Sequence, residues 1–173
     1  HDVIRAIRNC PVPVIAAVKG GAAGAGASIA LACDFIVMEA GAKFTAAYVK
    51  AGLVPDGGLT ASLARMIPRP LAMEMCVLAR PVTAERMFAL GAVNAVVEVD
   101  QVMIEAHAFA DAVAAGPRDA QASIRMMVAA GYDQTEAAQL DLERDAMAHA
   151  AGGDEAAEGI AAFLEKRKPE YGT

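Results

Sequence analysis

The stretch Ile15-Ala-Ala-Val-Lys-Gly-Gly-Ala-Ala-Gly-Ala-Gly-Ala-Ser-Ile-Ala-Leu-Ala-Cys-Asp34 decides how the chain is read. Its apolar opening, Val14 to Val18, has the length of a strand and enters a Gly/Ala-rich turn. The turn feeds a helix expected over Gly24 to Cys33. That helix is apolar on nearly every side, which places it in a protein's interior. Small residues at its start let another backbone or a ligand approach closely. A helix N-terminus with accessible N–H groups also favours negative charge, resident or developing. The stretch therefore reads as a site, or as the support of one.

Three known site patterns fit it poorly. A dinucleotide-binding G-x-G-x-x-G that starts at Gly24 would need its third glycine where Ile29 stands. A phosphate loop spanning Gly21 to Gly26 needs a lysine next, and Ala27 is there instead. Gly26-Ala-Ser28-Ile-Ala30 touches the nucleophile-elbow pattern of serine hydrolases, but the elbow requires a strand to end directly before it, and Val18 lies far upstream of Ser28. The plain alternative is a helix packed closely on a sheet, with glycines present only for packing.

Working outward, Cys10-Pro-Val-Pro13 ends a helix over His1 to Asn9 and launches the first strand. Asp34 to Met38 reads as a second strand. Two apolar strands around a buried helix imply a βαβ unit and a parallel sheet. A short strand at Lys43 to Thr45 and a loop follow. Pro55-Asp-Gly-Gly58 is a turn opening a helix from Leu59 to Met66, so Asp56 falls near a helix N-terminus, where a carboxylate is stabilised. Further helices are expected over Leu71–Leu78 and, capped by Thr83, up to Leu90 with a stop at Gly91. A last strand falls at Val96 to Val99. Helices then occupy about 100–114, 118–130, 134–150 and 154–167, broken at Gly116-Pro117, Gly131 and Gly152-Gly153. In the first of these, Val102, Ala106, Phe109, Ala110 and Val113 form one apolar face.

With 56% hydrophobic and 21% charged residues in 173, the chain is globular and not disordered. Aromatic residues make up 5% and Trp is absent, so the core is expected to be built from Ala, Val, Leu, Ile and Met. A net charge of −6 provides no basic field for nucleic acid. Cys10, Cys33 and Cys76 lack metal-ligand spacing and suit a reducing, cytoplasmic setting. No metal site is expected, and no apolar run reaches membrane-spanning length. His1, His107 and His149 have no motif neighbours and read as surface residues.

The run Ile15 to Phe35, with its Ala-Ala-Val-Lys-Gly opening, Gly-Ala-Gly turn and Ala-Cys-Asp-Phe close, resembles the signature of the crotonase (enoyl-CoA hydratase/isomerase) family. The resemblance continues through Lys43-Phe-Thr45, Ala51-Gly-Leu-Val-Pro-Asp56-Gly-Gly-Leu-Thr60, Leu71-Ala-Met-Glu-Met75, Val82-Thr-Ala-Glu-Arg-Met-Phe-Ala-Leu-Gly-Ala-Val-Asn94 and Ala162-Phe-Leu-Glu-Lys-Arg-Lys168. It runs in order along essentially the whole chain. It implies an α/β fold, the crotonase (ClpP-like) spiral of ββα turns, with residues 1–99 in the spiral core and 100–173 in a helical region that builds trimers or hexamers. Set against the family, an N-terminal portion is expected to be absent, and with it one oxyanion-hole donor and much of the CoA surface.

The same resemblance implies acyl-CoA thioesters as substrates, with coenzyme A as part of the substrate and no separate cofactor. It assigns an oxyanion-hole N–H to Ala25 and substrate contacts to Gly21, Ala23, Gly24, Tyr48, Phe163 and Lys166. Hydratases of the family carry two glutamates that activate a water. Their positions hold Ser28 and Tyr48 here, so ordinary hydratase activity is not expected. A third position, in the Pro-Asp-Gly turn, carries the single carboxylate of some enoyl-CoA isomerases and of ring-opening relatives, and here it is Asp56. The implied activity is an isomerase in which Asp56 faces the acyl chain in a largely apolar pocket. The alternatives are a hydratase-like or dehalogenase-like member, or an inactive CoA-ester-binding assembly subunit. Without the family context, Asp56 reads as a helix cap, Ser28 as a helix residue bonded to a backbone carbonyl, Tyr48 as pocket lining, and Phe163 and Lys166 as a core Phe beside a solvated Lys.

Overall fold

The strand β1 (Ile15–Val18) pairs in parallel with β3 (Phe35–Glu39), as the βαβ reading expects, and β3 pairs in parallel with β6 (Ala95–Val97). A computed structural model describes residues 1–172. Its second sheet has the order β2 (Ala22–Ala23), β4 (Lys43–Thr45), β5 (Val82–Thr83), parallel across β2–β4 and antiparallel across β4–β5. Successive strands thus alternate between the two sheets before a helix follows: β1, β2, then α2 (Ala25–Ala30), and β3, β4, then α3 (Leu59–Met66) and α4 (Arg69–Leu78). This alternation is the ββα spiral. The two-residue strands β2 and β5 are too short to leave a period-2 pattern in the sequence.

Alternation along β3 explains its unbroken apolar run. Ile36 and Met38 enter the main core, while Val37 packs with Val102 and Ala106 of α6 (Val102–Ala114), so the strand is buried on both faces. Phe35 adds a ring contact to Phe109 at 5.4 Å. The main core joins Ile36, Met38, Phe44, Leu59, Leu63, Met75 and Met87. Phe44 is fully buried, an aromatic at the centre of a core expected to be aliphatic and thioether throughout. Side chains take up main-chain donors near the strand ends: Asp34 Oδ2 accepts the Val14 N–H at 2.8 Å, Glu39 Oε2 the Gly20 N–H at 2.6 Å and Asn94 Oδ1 the Ile36 N–H at 2.8 Å. At Gly21 (φ +127°) a Cβ would stand 2.8 Å from the Lys43 carbonyl oxygen, so only glycine lets β2 approach β4.

The helices fall close to their expected limits: α1 (Asp2–Arg8), α3, α4 and α5 (Ala84–Ala89), the last capped by Thr83 Oγ1, which accepts the Arg86 N–H at 3.3 Å. The helix expected to be buried throughout differs. It spans Ala25–Ala30 only, because Ala32 N–H and Cys33 N–H turn to the Ile29 and Ala30 carbonyls three residues back. Ala27, Ser28 and Ala30 are buried, but Ala25 and Gly26 are exposed and Ile29 is 42% exposed. The segment read as a loop after β4 contains a 3-10 turn, Ala47–Ala51.

The chain divides into two compact units, His1–Cys10 with Val14–Ala110, and Pro11–Pro13 with the residues from Asp111 onward. The division falls inside α6, whose Val102 and Ala106 pack on Val37 of the first unit. The second unit holds α7 (Arg118–Ala130), α8 (Glu136–Ala151) and α9 (Asp154–Glu165). Glu155 of α9 accepts the Asp119 and Ala120 N–H groups at the start of α7, supplying the cap that Pro117 cannot. Ala162 is buried there, while Ile124, Val128, Leu140, Met147, Ile160 and Leu164 are exposed. His1, His107 and His149 are exposed, as expected. Among the described residues no helix is long and apolar enough to cross a membrane.

Candidate active site

The turn before α3 is built on Gly57 (φ +59°) and Gly58 (φ +76°), two consecutive left-handed residues. A Cβ on Gly57 would meet Ser28 Cβ at 2.9 Å, so the missing side chain lets the turn lie directly on α2. The N-cap of α3 is Gly58, and no side chain caps that helix. Asp56 is therefore not the helix cap that its place in the turn invites. Its main-chain carbonyl accepts the Leu59 N–H at 3.1 Å and the Ser28 hydroxyl at 3.0 Å. Its carboxylate Oδ1 accepts the Tyr48 hydroxyl at 2.8 Å, and Oδ2 has no partner among the described residues.

Tyr48 comes from the 3-10 turn, half-buried, with its ring 3.9 Å from where a Cβ of Gly24 would sit. Gly24 is the N-cap of α2, and the Ala25 N–H that follows meets no acceptor among the described residues. Tyr48 thus spans from the start of α2 to the Asp56 carboxylate. Burial raises its phenol above the ordinary value near 10, the Ser28 hydroxyl opposes this, and the Asp56 carboxylate adds to the rise. The phenol is protonated at neutral pH and donates.

Ser28, 2% exposed, stands within 3.4 Å of both the Gly24 carbonyl and Tyr48 Oη, and at 3.0 Å from the Asp56 carbonyl. A hydroxyl has one proton, and the shortest of these contacts takes it. The expected bond to a backbone carbonyl exists, but its main acceptor is Asp56 and not a residue of its own helix. From α1, Arg8 donates to Ser62 Oγ of α3 at 3.0 Å and lies beside Gly58.

Gly21 and Ala23 line a cavity of about 510 Å³ with β1, Gly26, Ile29 and Cys33. Tyr48 and Asp56 are not among its lining residues, and Asp56 is exposed, contrary to the expectation that it faces an apolar pocket. Helical geometry gives the reason. Gly26, Ile29 and Ala30 share one face of α2, and Ser28 projects from the opposite one, so the cavity and the Asp56 turn flank the same short helix. Gly24 and Ala25 lie at the helix end common to both. Phe163 (82% exposed) and Lys166 lie at the end of α9 in the second unit. Lys166 is the C-cap of that helix, and Phe163 is not a core residue.

This arrangement offers one carboxylate with a free oxygen, held by the Tyr48 hydroxyl while the Ser28 hydroxyl holds the same residue's main-chain carbonyl, and a free backbone donor nearby. No second carboxylate stands at the positions of Ser28 and Tyr48, so the turn can take and return one proton but lacks a pair of acids to hold a water between them. A family model described as enoyl-CoA hydratase/isomerase matches residues 1–173. The chain belongs to this family. It is 39% identical, over 174 residues and 99% of its length, to a protein of Rhodobacter capsulatus named "Probable enoyl-CoA hydratase". It is 36% identical, again over 99% of its length, to the 1,2-epoxyphenylacetyl-CoA isomerase of Escherichia coli. The crystal structure of an enoyl-CoA hydratase from Polaromonas sp. JS666 superposes with a TM-score of 0.95 at 44% identity over 98% of the chain. The chain spans about two thirds of the length of these enoyl-CoA hydratase/isomerase relatives, 66%, 65% and 66% in turn.

Proposed function

We propose that the protein is an enoyl-CoA isomerase of this family that moves a double bond by one-carboxylate proton transfer. Asp56 takes a proton from C2 of a 3-enoyl thioester. The negative charge that develops on the thioester oxygen is stabilised by backbone donors, of which the Ala25 N–H is one. The same carboxylic acid returns the proton at C4, leaving the 2-enoyl product. The observation that carries this reading is the Asp56 carboxylate itself. It caps no helix, is held by Tyr48 through one oxygen, and keeps the other oxygen free. Gly21, Ala23 and Gly24, with Tyr48, are proposed to receive the acyl-CoA thioester, and Phe163 and Lys166 to contact the CoA moiety in an assembled trimer or hexamer.

A hydratase is the second reading, supported by the names of several relatives, among them the crotonyl-CoA hydratase of Syntrophomonas wolfei, 33% identical. Side-by-side assays separate the two. The isomerase reading expects turnover of a 3-enoyl-CoA with hydration of crotonyl-CoA slow or absent. Rapid hydration by the unmodified protein would overturn the assignment of Ser28 and Tyr48 to the water-activating positions. Binding of CoA esters with no turnover of any would instead support an assembly subunit.

A further inference from the structure

We propose that Tyr48 and Ser28 are positioning residues for Asp56, with Ser28 fixing the turn's main chain and Tyr48 fixing the carboxylate by Oδ1, so that Oδ2 alone is presented for proton transfer. This rests on the reading of Asp56 as the base.

The division of labour follows from counting protons. Tyr48 has one, and it is used on Oδ1 at 2.8 Å. Ser28 has one, and its shortest acceptor is the Asp56 carbonyl. Ser28 and Tyr48 stand 3.4 Å apart, a spacing at which neither needs the other's proton. The turn is therefore tied down at two independent atoms of one residue, by side chains from two different elements. Gly57 makes the first tie possible, since any larger residue would meet Ser28 before its hydroxyl reached the carbonyl. The ring of Tyr48 lies against Gly24, which fixes the direction from which the phenol approaches. A carboxylate held by one oxygen cannot rotate freely, and the orientation of its other oxygen relative to the start of α2 is set before substrate arrives. Arg8 of α1 places a charged side chain beside Gly58 of this turn.

Tyr48→Phe tests this, because it keeps the ring on Gly24 and removes only the donor. Isomerisation of a 3-enoyl-CoA is expected to lose about ten- to a hundredfold in kcat, with KM changed by less than about twofold. Ser28→Ala is expected to lower kcat as well, since its bond holds the main chain of the same residue. If Tyr48 only packs, Phe in its place leaves kcat unchanged. That result, together with loss of turnover in Asp56→Asn, overturns the positioning role and leaves the base standing. Full activity in Asp56→Asn overturns both.

Discussion

Replacing Gly57 by alanine perturbs the contact on which the site's geometry depends. Two costs add. Gly57 has φ +59°, a left-handed conformation that costs an L-residue about 1–2 kcal/mol. The new Cβ would also lie 2.9 Å from Ser28 Cβ and 3.2 Å from its Oγ, and Ser28 is buried inside α2 and cannot swing away. Such overpacking costs about 1–3 kcal/mol, so a total loss of roughly 2–5 kcal/mol is expected. Urea titration measures it as a fall in the midpoint with unchanged slope. Because the clash is with Ser28, a Ser28→Gly background is expected to reduce the cost of Gly57→Ala to the conformational part, about 1–2 kcal/mol. A loss below about 0.5 kcal/mol in the wild-type background, or no coupling between the two positions, would refute the packing of the turn on α2.

Two further predictions concern the second unit. Glu158 is held down to about 2 from an ordinary value near 4.5, first by the Arg167 guanidinium that grips both its oxygens and then by the Glu170 N–H. A carboxyl lowered in the folded state stabilises it above the unfolded value and loses that contribution as pH falls from about 4.5 towards 2. The stability difference between wild type and Glu158→Gln is therefore expected to be present at pH 6 and mostly lost by pH 2; a difference independent of pH would contradict it. The exposed apolar residues of α7, α8 and α9 lead to a second expectation, a trimer or dimer of trimers in sedimentation velocity. A stable monomer at micromolar concentration would count against it.

Element positions were legible where local chemistry is explicit. Pro11 and Pro13, Thr83 as a cap, Gly91, Gly131 and Gly152-Gly153 all mark real boundaries, since each acts through its own backbone or cap. The paired strands β2 and β5 were not legible, because a two-residue strand is defined by its partner across the sheet and not by any pattern of its own. The open side of α2 was not legible for a related reason. Small apolar residues are equally at home facing a core or lining an open cavity, and Gly26 and Ile29 do the latter. At the site, Asp56, Ser28 and Tyr48 were each visible by position. Their joining was not, because Ser28 meets Asp56 across 28 positions over the missing Cβ of Gly57, and the Tyr48–Asp56 bond, 8 positions apart, follows no helical or strand spacing. A lone serine inside an otherwise apolar helix was the signal available for it.

The central claim is that Asp56 moves the proton, and Asp56→Asn tests it most directly. Asparagine keeps the size, can still accept from Tyr48 through its Oδ1, and leaves the main-chain carbonyl to Ser28, so folding and CoA-ester binding are expected to persist. The isomerisation rate of a 3-enoyl-CoA is expected to fall by about 10²–10⁴-fold, the usual cost of losing a positioned general base. Wild-type turnover by Asp56→Asn, measured under saturating substrate, would contradict the account.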